Sequence, residues 1–234
     1  YTPDELLFFS FNKGLFIFHK QTGQIRPFVL IDKEMNDQTC INGFSVNIQR
    51  ITKNKILFSA QHIFIYDIVT RKFDIVATMG KEYERQSPLI IATVGTKTYL
   101  SDLKNICEYD SSEGTFKTIY QGQHIINDAS MDKDGVFWLA STEGLLRYDP
   151  RTGKSELIQT SLFQDVASVV ADNQYRIWIG TRRHLFVYSS HTHNFATLDE
   201  VDGVLPNEYI FHATLLAKNG DVFVGGTTGK IGRA

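Results

Sequence analysis

A stretch of sequence recurs along this chain at a nearly regular spacing, and that repetition constrains the fold more than any single motif. The chain reads DKDGVFWLASTEGLLRYDPRTGK from Asp132 and DNQYRIWIGTRRHLFVYSSHTHNF from Asp172. The residues that align with the first Trp are Phe8, Leu57, Tyr99, Trp138, Trp178 and Phe223, with steps of 49, 42, 39, 40 and 45 residues. A period of roughly 40–50 residues indicates a repeat architecture.

Each unit contains four short runs of β-forming residues separated by turn residues. In the fourth unit the runs are IINDASM, VFWLAS, LLRYD and SELI, and the turns are DKDG, TEG and PRTGK. Turns rich in Gly, Asp and Pro, together with the lack of helical periodicity, favour strands. Four antiparallel strands in about 40 residues are typical of one blade of a β-propeller. The sequence therefore predicts an all-β chain built from six such units.

The order of the runs predicts where the chain begins and ends within a blade. ELLFFS near the start matches the second strand of a unit, and KIGRA at the end matches the beginning of a third strand. We therefore expect four complete blades flanked by two partial ones, with residues 1–234 forming one propeller that is incomplete at both ends. The chain starts at Tyr1 and not at Met, so we interpret it as a piece of a longer protein.

The repeat also predicts two local roles. The large residue at the Trp138 position should fill the space between neighbouring blades, because a sheet must bury its apolar face against another element. Asp134 and Gly135 should form a two-residue hairpin turn, which requires positive φ angles.

Charge and composition argue against several classes of function. The chain has 24 Lys and Arg against 26 Asp and Glu, a net charge of −2, and no basic stripe, so we expect no nucleic-acid partner. No apolar run approaches the roughly 18–20 residues of a membrane span, which predicts a soluble segment. Two cysteines, Cys40 and Cys107, are too few for a disulfide framework or a zinc cluster. Cys107 lies in the apolar run NICEYD and is interpreted as a buried structural residue.

The pattern D-x-D-G-x-x-W-x-(small)-(S/T)-x-x-G-L followed by RYD resembles the two-component regulator propeller repeat. DKDGVFWLASTEGLLRYD matches it closely, and DNQYRIWIGTRRHLFVY matches it except for His184, where Gly is usual. LPNEYIFHATLLAKNGDVFVGGTTGK is similar to the last blade of such proteins. The likeness covers nearly the whole chain in six units, and it is strong in the last three units and weak in the first three.

The resemblance implies a function that composition and spacing do not show. It implies the periplasmic sensor region of an inner-membrane hybrid two-component protein, with propellers that are usually seven-bladed and act as homodimers. Such sensors commonly bind oligosaccharides from polysaccharide breakdown and control transcription through kinase modules, which are not in this chain. By resemblance the full-length protein would be a histidine kinase, whereas this segment would bind ligand without being an enzyme.

One end of the propeller axis is the predicted ligand site, because the turns between second and third strands meet the links between blades there. Aromatic and hydrogen-bonding groups in a concave surface suit sugars, and paired Arg side chains can bind a carboxylate or sulfate. The candidate ligand-binding residues are Arg182, Arg183, His184, Tyr83, Arg85, His124, Lys104 and Asn105.

Other motifs indicate neither a metal site nor a catalytic site. Asp132 and Asp134 have the beginning of a calcium loop, but VFWL follows and supplies no further oxygen ligands, so a hairpin turn is favoured. His191 and His193 have the spacing of a strand chelate, yet they align with a solvent-exposed turn and lack a third ligand nearby. No nucleophile motif such as G-x-S-x-G is present. We therefore expect no catalytic residue, no metal and no cofactor.

Two other functions remain open from the sequence. A propeller lyase or lactonase would require a divalent metal with catalytic His and Glu residues converging at the channel. A protein-interaction scaffold would require a large exposed apolar patch.

Overall fold

The chain forms antiparallel β-sheets and divides into two compact units. The computed structural model describes residues 2–10, 14–28, 47–60, 62–78, 87–158, 165–204, 208–227 and 232–233. Unit 1 comprises Tyr1–Asp102 and Glu108–Lys117, and unit 2 comprises Leu103–Cys107 and Thr118–Ala234. Described strands form six sheets, numbered here 1 to 6 along the chain.

Sheets 1 and 2 belong to unit 1, and the boundary between the units runs through sheet 3. Sheet 1 contains β1 (Glu5–Ser10), β2 (Gly14–His19) and β3 (Ile25–Pro27). Sheet 2 contains β4 (Asn47–Arg50), β5 (Lys55–Ser59), β6 (His62–Asp67) and β7 (Phe73–Thr78). Sheet 3 contains β8 (Leu89–Val94), β9 (Lys97–Asp102), β10 (Asn105–Asp110) and β11 (Thr115–Gln121).

Sheets 4, 5 and 6 belong to unit 2. Sheet 4 contains β12 (Ile126–Met131), β13 (Phe137–Ser141), β14 (Gly144–Asp149) and β15 (Lys154–Ile158). Sheet 5 contains β16 (Ser168–Ala171), β17 (Arg176–Gly180), β18 (Leu185–Ser189) and β19 (Phe195–Leu198). Sheet 6 contains β20 (Tyr209–Leu216), β21 (Val222–Gly226) and β22 (Gly232–Arg233), after a short 3-10 helix at Glu200–Asp202.

The order of strands confirms the succession of strands and turns that the sequence predicts for each unit. Sheets 2 to 5 have four strands each, and sheets 1 and 6 have three described strands each. Strands follow one another in chain order within every sheet, so each sheet is an antiparallel meander. This all-β arrangement is consistent with propeller blades, as the sequence predicts.

In unit 2 the Trp position packs one sheet against the next. Trp138 of sheet 4 lies with Val169, Ile177 and Ile179 of sheet 5 in one buried cluster. Trp178 of sheet 5 packs in the same way with residues of sheet 6, namely Tyr209, Val222 and Val224. The predicted role of the large residue between neighbouring sheets is confirmed for both Trp residues.

In unit 1 the same position is held by apolar residues, and the first anchor is displaced by one residue. Leu57 is fully buried and packs with Leu100 and Tyr109. In β1, however, Leu7 and Phe9 pack against the cluster that contains Phe58 of sheet 2. Successive side chains of a strand point to opposite faces, so Leu7, and not Phe8, occupies the position of the Trp. The alignment of the first unit was therefore one residue out of register.

The turn at Asp132 differs from the predicted two-residue hairpin. Asp132 N donates to Val136 O at 3.0 Å, and Gly135 N donates to Asp132 O at 3.0 Å. Of the residues in this loop only Gly135 has a positive φ, at 78°. The loop therefore has three residues, with glycine in the left-handed position that closes such a turn.

The remaining predictions on composition concern the cysteines and the membrane. Cys107 is buried, as expected, with its Sγ 3.7 Å from Thr118 Oγ1, and Cys40 lies outside the described residues. Within the ranges that the structure describes, no helix has the length and apolar character needed to cross a membrane.

Candidate functional site

Links between sheets meet the turns between second and third strands at one end of unit 2. Ile126 N, which ends the link into sheet 4, donates to Leu103 O at 2.6 Å, and Gly122 N donates to Lys104 O at 2.9 Å. Tyr209 N, at the start of β20, donates to Thr181 O at 3.2 Å in the turn of sheet 5. These backbone bonds join the links to the turns at the end of the unit where the sequence predicts a ligand site.

The turn of sheet 5 presents three of the candidate residues to solvent. Arg182, Arg183 and His184 are exposed, and the Thr181 hydroxyl accepts hydrogen bonds from the backbone N–H groups of Arg183 and His184. Arg182 Nε lies 3.3 Å from Asp165 Oδ2, with 68% of the Arg side chain exposed. An ion pair this exposed contributes little to stability, so Arg182 remains available to a ligand.

The other candidate residues fall into two groups. Lys104 is exposed and Asn105 is half-buried at the turn of sheet 3, and half-buried His124 lies in the link that is bonded to that turn. Tyr83 and Arg85 lie outside the described residues.

The carboxylate of Asp132 is engaged in the turn and the core. Its Oδ1 accepts hydrogen bonds from the N–H groups of Asp134 and Val136 at 3.0 Å each, and its Oδ2 accepts one from Trp138 Nε1 at 2.9 Å. Asp172 and Trp178 repeat this arrangement with a 3.0 Å hydrogen bond. The hairpin turn that the sequence favours here is therefore confirmed, with a three-residue loop, and the sequence analysis missed the Asp–Trp pair six residues apart.

His191 and His193 lie on the exposed turn that the sequence predicts, and their rings take different partners. The His191 ring lies 4.0 Å from the ring of Tyr175, measured between centroids. His193 Nδ1 is 2.7 Å from the hydroxyl oxygen of Tyr188. Among the residues that the structure describes, no group of three or more His, Cys, Asp or Glu side chains is positioned to hold a metal ion.

Side chains of β12 cover the open edge of β16. Asn127 Nδ2 donates to Val166 O at 2.8 Å, Val169 N donates to Asp128 Oδ2 at 3.0 Å, and Ala171 N donates to Ser130 Oγ at 3.0 Å. These bonds satisfy backbone groups of β16 and of the residues just before it, which pair with no other strand among those the structure describes. The cover is part of the fold, but it also brings a carboxylate to the first strands of the sheets.

Asp128 and His212 form a pair that the sequence analysis did not identify. The Asp128 side chain is 4% exposed, and its Oδ1 lies 3.3 Å from Nδ1 of His212, whose side chain is 35% exposed. Thr214 Oγ1 donates to Val169 O at 3.2 Å and to Asp128 Oδ2 at 3.4 Å. The cluster thus joins the first strands of sheets 4, 5 and 6.

His212 reaches Asp128 because β20 contains a bulge. Tyr209 pairs with Gly226 and Thr214 pairs with Val224, so five steps along β20 match two along β21. His212 has a φ of 57°, which non-glycine residues seldom adopt. The sequence carried one signal of this insertion, since the step from Trp178 to Phe223 is 45 residues and the preceding step is 40.

Comparison with family models gives no match, and comparison with curated proteins gives none either. Solved structures do share the fold. The extracellular domain of the hybrid two-component system BT3049 from B. thetaiotaomicron has a TM-score of 0.71 at 15% identity, over 97% of this chain and 31% of that one. The extracellular domain of the hybrid two-component system BT4673 from the same organism has a TM-score of 0.63 at 19% identity, over 92% of this chain and 28% of that one.

A streptogramin B lyase also shares the fold, with a TM-score of 0.67 at 13% identity over 100% of this chain and 80% of the lyase. At these identities the similarity establishes the fold alone. The chain spans about a third of the length of the two extracellular domains.

Proposed function

We propose that this chain is the ligand-binding part of an extracytoplasmic sensor in a hybrid two-component system, and that its ligand is an oligosaccharide. The observation that carries the proposal is the end of unit 2 where links and turns meet. Exposed Arg182, Arg183 and His184 lie there on one turn, held by the Thr181 hydroxyl. The likeness in fold to two extracellular domains of such systems supports the setting.

The chemistry of this end suits a polar ligand with several hydroxyl or acidic groups. Two neighbouring guanidinium groups supply fixed planar donors that bind carboxylate or sulfate in a bidentate manner. Lys104 and His124 add a cation and an imidazole at the neighbouring turn and link. Acidic or sulfated oligosaccharides therefore match this end of unit 2, called here the rim site (Arg182, Arg183, His184, Lys104 and His124), better than apolar ligands do.

Signalling follows from differential affinity. A ligand shifts an equilibrium between two conformations only by as much as it binds one of them more tightly. In the proposed sensor the protein is a homodimer, the segment lies in the periplasm, and ligand binding changes the activity of kinase modules outside residues 1–234, which then control transcription.

Thermal unfolding of this protein with defined glycans tests the proposal. The panel comprises neutral xylo- and mannooligosaccharides, acidic oligogalacturonides and sulfated chondroitin oligosaccharides, with Ca²⁺ and Mg²⁺ as separate additions. A ligand at 100 times its Kd stabilises the folded state by about 2.7 kcal/mol. We expect one glycan class to raise the midpoint, and the double variant Arg182→Ala/Arg183→Ala to weaken binding of the acidic or sulfated members.

The control is Lys218→Ala, which also removes exposed positive charge but lies in the turn between the first and second strands of sheet 6. This variant should bind as the wild type does. Stabilisation by metal alone would favour a lyase-type or lactonase-type enzyme. The proposal fails if none of the glycans binds.

A further inference from the structure

The bulge of β20 departs from the other first strands of unit 2. In β12 the register shift between Ile126 and Asp128 adds one residue, because two steps match one step from Ser141 to Ala140. In β20 the shift adds three residues between Tyr209 and Thr214. Bulges re-aim side chains and are frequent beside functional sites, and a strained φ persists only when the surrounding structure holds it.

Contacts with Asp128 hold His212 in its positive-φ conformation. Asp128 is buried and accepts hydrogen bonds from the backbone N–H groups of Ala129 and Val169 at 3.0 Å each, so its carboxylate cannot turn away. Where the Asp128 carboxylate accepts from Nδ1–H of His212 across their 3.3 Å contact, the other ring nitrogen, Nε2, is left for a ligand. The His212 side chain is 35% exposed.

An exposed aromatic side chain precedes this imidazole in the same bulge. Phe211 is 51% exposed and Ile210 is 43% exposed, whereas Tyr209 just before them is buried. Tyr209 N is bonded to Thr181 O, in the turn that carries Arg182, Arg183 and His184. The bulge is therefore continuous with the end of unit 2 that we propose binds ligand.

We infer that the β20 bulge, residues 210–213, is a second contact element for a saccharide and binds a neutral sugar unit of it. In this role the ring of Phe211 covers the apolar face of the sugar, and Nε2 of His212 accepts a hydrogen bond from a sugar hydroxyl. Asp128 is a positioning residue, which fixes the tautomer and the orientation of His212. The inference rests on the proposed function and assigns it residues that the rim site does not include.

A neutral sugar unit fits the charges around His212 better than an acidic one. The buried Asp128 carboxylate receives no hydrogen bond or ion pair from Lys or Arg among the contacts described for it. An anion placed at Nε2 would lie near this carboxylate, and like charges repel. Acidic groups of the same oligosaccharide would instead lie at Arg182 and Arg183.

Variants of the bulge test the inference by isothermal titration with the neutral xylo- and mannooligosaccharides of the panel. His212→Asn keeps a side chain that tolerates positive φ and can still donate to Asp128, but it lacks Nε2. Phe211→Leu keeps apolar surface and removes the ring. We expect each variant to lower the affinity for the neutral glycan that binds the wild type by about tenfold, the factor of one lost interaction of modest strength. The matched control is Leu215→Ala, which removes an exposed apolar side chain from β20 outside the bulge and should bind as the wild type does.

Nitrogen NMR of the imidazole provides a readout that a structural role would not change. In the wild type we expect the Nδ1–H tautomer of His212 and a change at Nε2 when the glycan binds. In Asp128→Asn we expect a mixture of tautomers. If the wild type binds a neutral glycan and both bulge variants bind it equally well, the inference is wrong and the proposed function stands. Binding of acidic glycans alone also overturns the inference, and absence of binding by every glycan overturns both.

Discussion

Sheet 2 of unit 1 and sheet 4 of unit 2 build the same hairpin with different chemistry. Ile51 N donates to Lys55 O at 3.0 Å, and Asp132 N donates to Val136 O at 3.0 Å, so the backbone of the two turns corresponds. Six residues after each turn begins, Leu57 is fully buried and Trp138 is 1% exposed. In sheet 4 a carboxylate ties the turn to the indole at 2.9 Å. In sheet 2 the Thr52 hydroxyl accepts from the turn N–H groups instead, and the apolar Leu57 side chain has no polar atom to bond with the turn.

The difference shows that sheets 2 and 4 both bury a large residue at this position and that the polar Asp–Trp tie is optional. Sheet 2 replaces the tie with stacked aromatic rings. Phe58 and Phe64 lie 5.0 Å apart between centroids with planes inclined by 7°, and Phe73 lies 5.2 Å from Phe64. The units of sheets 4 and 5, which match the repeat well in sequence, use the Asp–Trp tie, whereas the weakly matching unit of sheet 2 has the aromatic stack.

The largest expected effect is the loss of the aromatic stack in unit 1. Phe64→Ala should lower the free energy of unfolding of unit 1 by about 3–5 kcal/mol, because a fully buried ring is replaced by a cavity. Because the two units need not unfold together, amide hydrogen exchange of β5 and β6 is the appropriate measurement. Equal loss of protection in sheet 5 would show that the units unfold as one, and would weaken the contrast drawn between them.

A smaller effect is expected from the Asp–Trp tie in unit 2. Asp132→Ala should lower the free energy of unfolding by about 2–3 kcal/mol, since three donors lose a charged acceptor and the indole N–H is left buried. Thr52→Ala, the matched change in sheet 2, should cost less because the hydroxyl is exposed and accepts only turn N–H groups. A double-mutant cycle of Asp132→Ala with Trp138→Phe should give a coupling of about 0.5–3 kcal/mol. If the effects of the two substitutions simply add, the Asp132–Trp138 hydrogen bond does not stabilise the fold.

The smallest expected effect concerns the equivalent bond in sheet 5, between Asp172 and Trp178, whose contribution to stability should depend on pH. Burial acts to raise the pKa of the Asp172 carboxyl, but hydrogen bonds from Trp178 and from the amide and guanidinium groups of Arg176 outweigh it, so the pKa lies below its usual value. A lowered folded-state pKa contributes stability above the unfolded-state pKa of about 3.9 and loses it as pH falls further. The stability gap between wild type and Asp172→Asn should therefore narrow below about pH 4. Chemical denaturation of both proteins at pH 7 and pH 3 measures this difference in stability. An equal difference at the two pH values would contradict a lowered pKa for Asp172.

The architecture of the sheets could be predicted from the sequence because turns and apolar runs repeat. The run VFWLAS lies on β13 and LLRYD on β14, ELLFFS lies on β1, and the last described strand, β22, falls within KIGRA. The first anchor was wrong because ELLFFS is apolar at every position except its ends. Without alternation of apolar and polar residues, the sequence does not indicate which face of β1 is buried.

The candidate site could be predicted only in part, for a different reason. Turn and link residues such as Arg182 follow from the strand order alone, so their exposure could be expected. The contact between Asp128 and His212 joins residues 84 positions apart and depends on a bulge whose conformation the local sequence does not specify. A spacing that was five residues longer than the one before it marked the insertion, but not the side chain that it would redirect.

The side chains that cover the edge of β16 have a consequence for how such chains can grow. Asn127, Asp128 and Ser130 each bond to backbone 39 to 41 residues further on, and in unit 1 Asn47 bonds to Pro88 O 41 residues further on. These spans equal about one period of the repeat. After duplication or deletion of one whole period in the gene, these side chains would therefore still face the first strand of the next sheet. A change of half a period would leave unpaired edges that invite aggregation. The number of sheets can therefore vary during evolution, but only in whole steps.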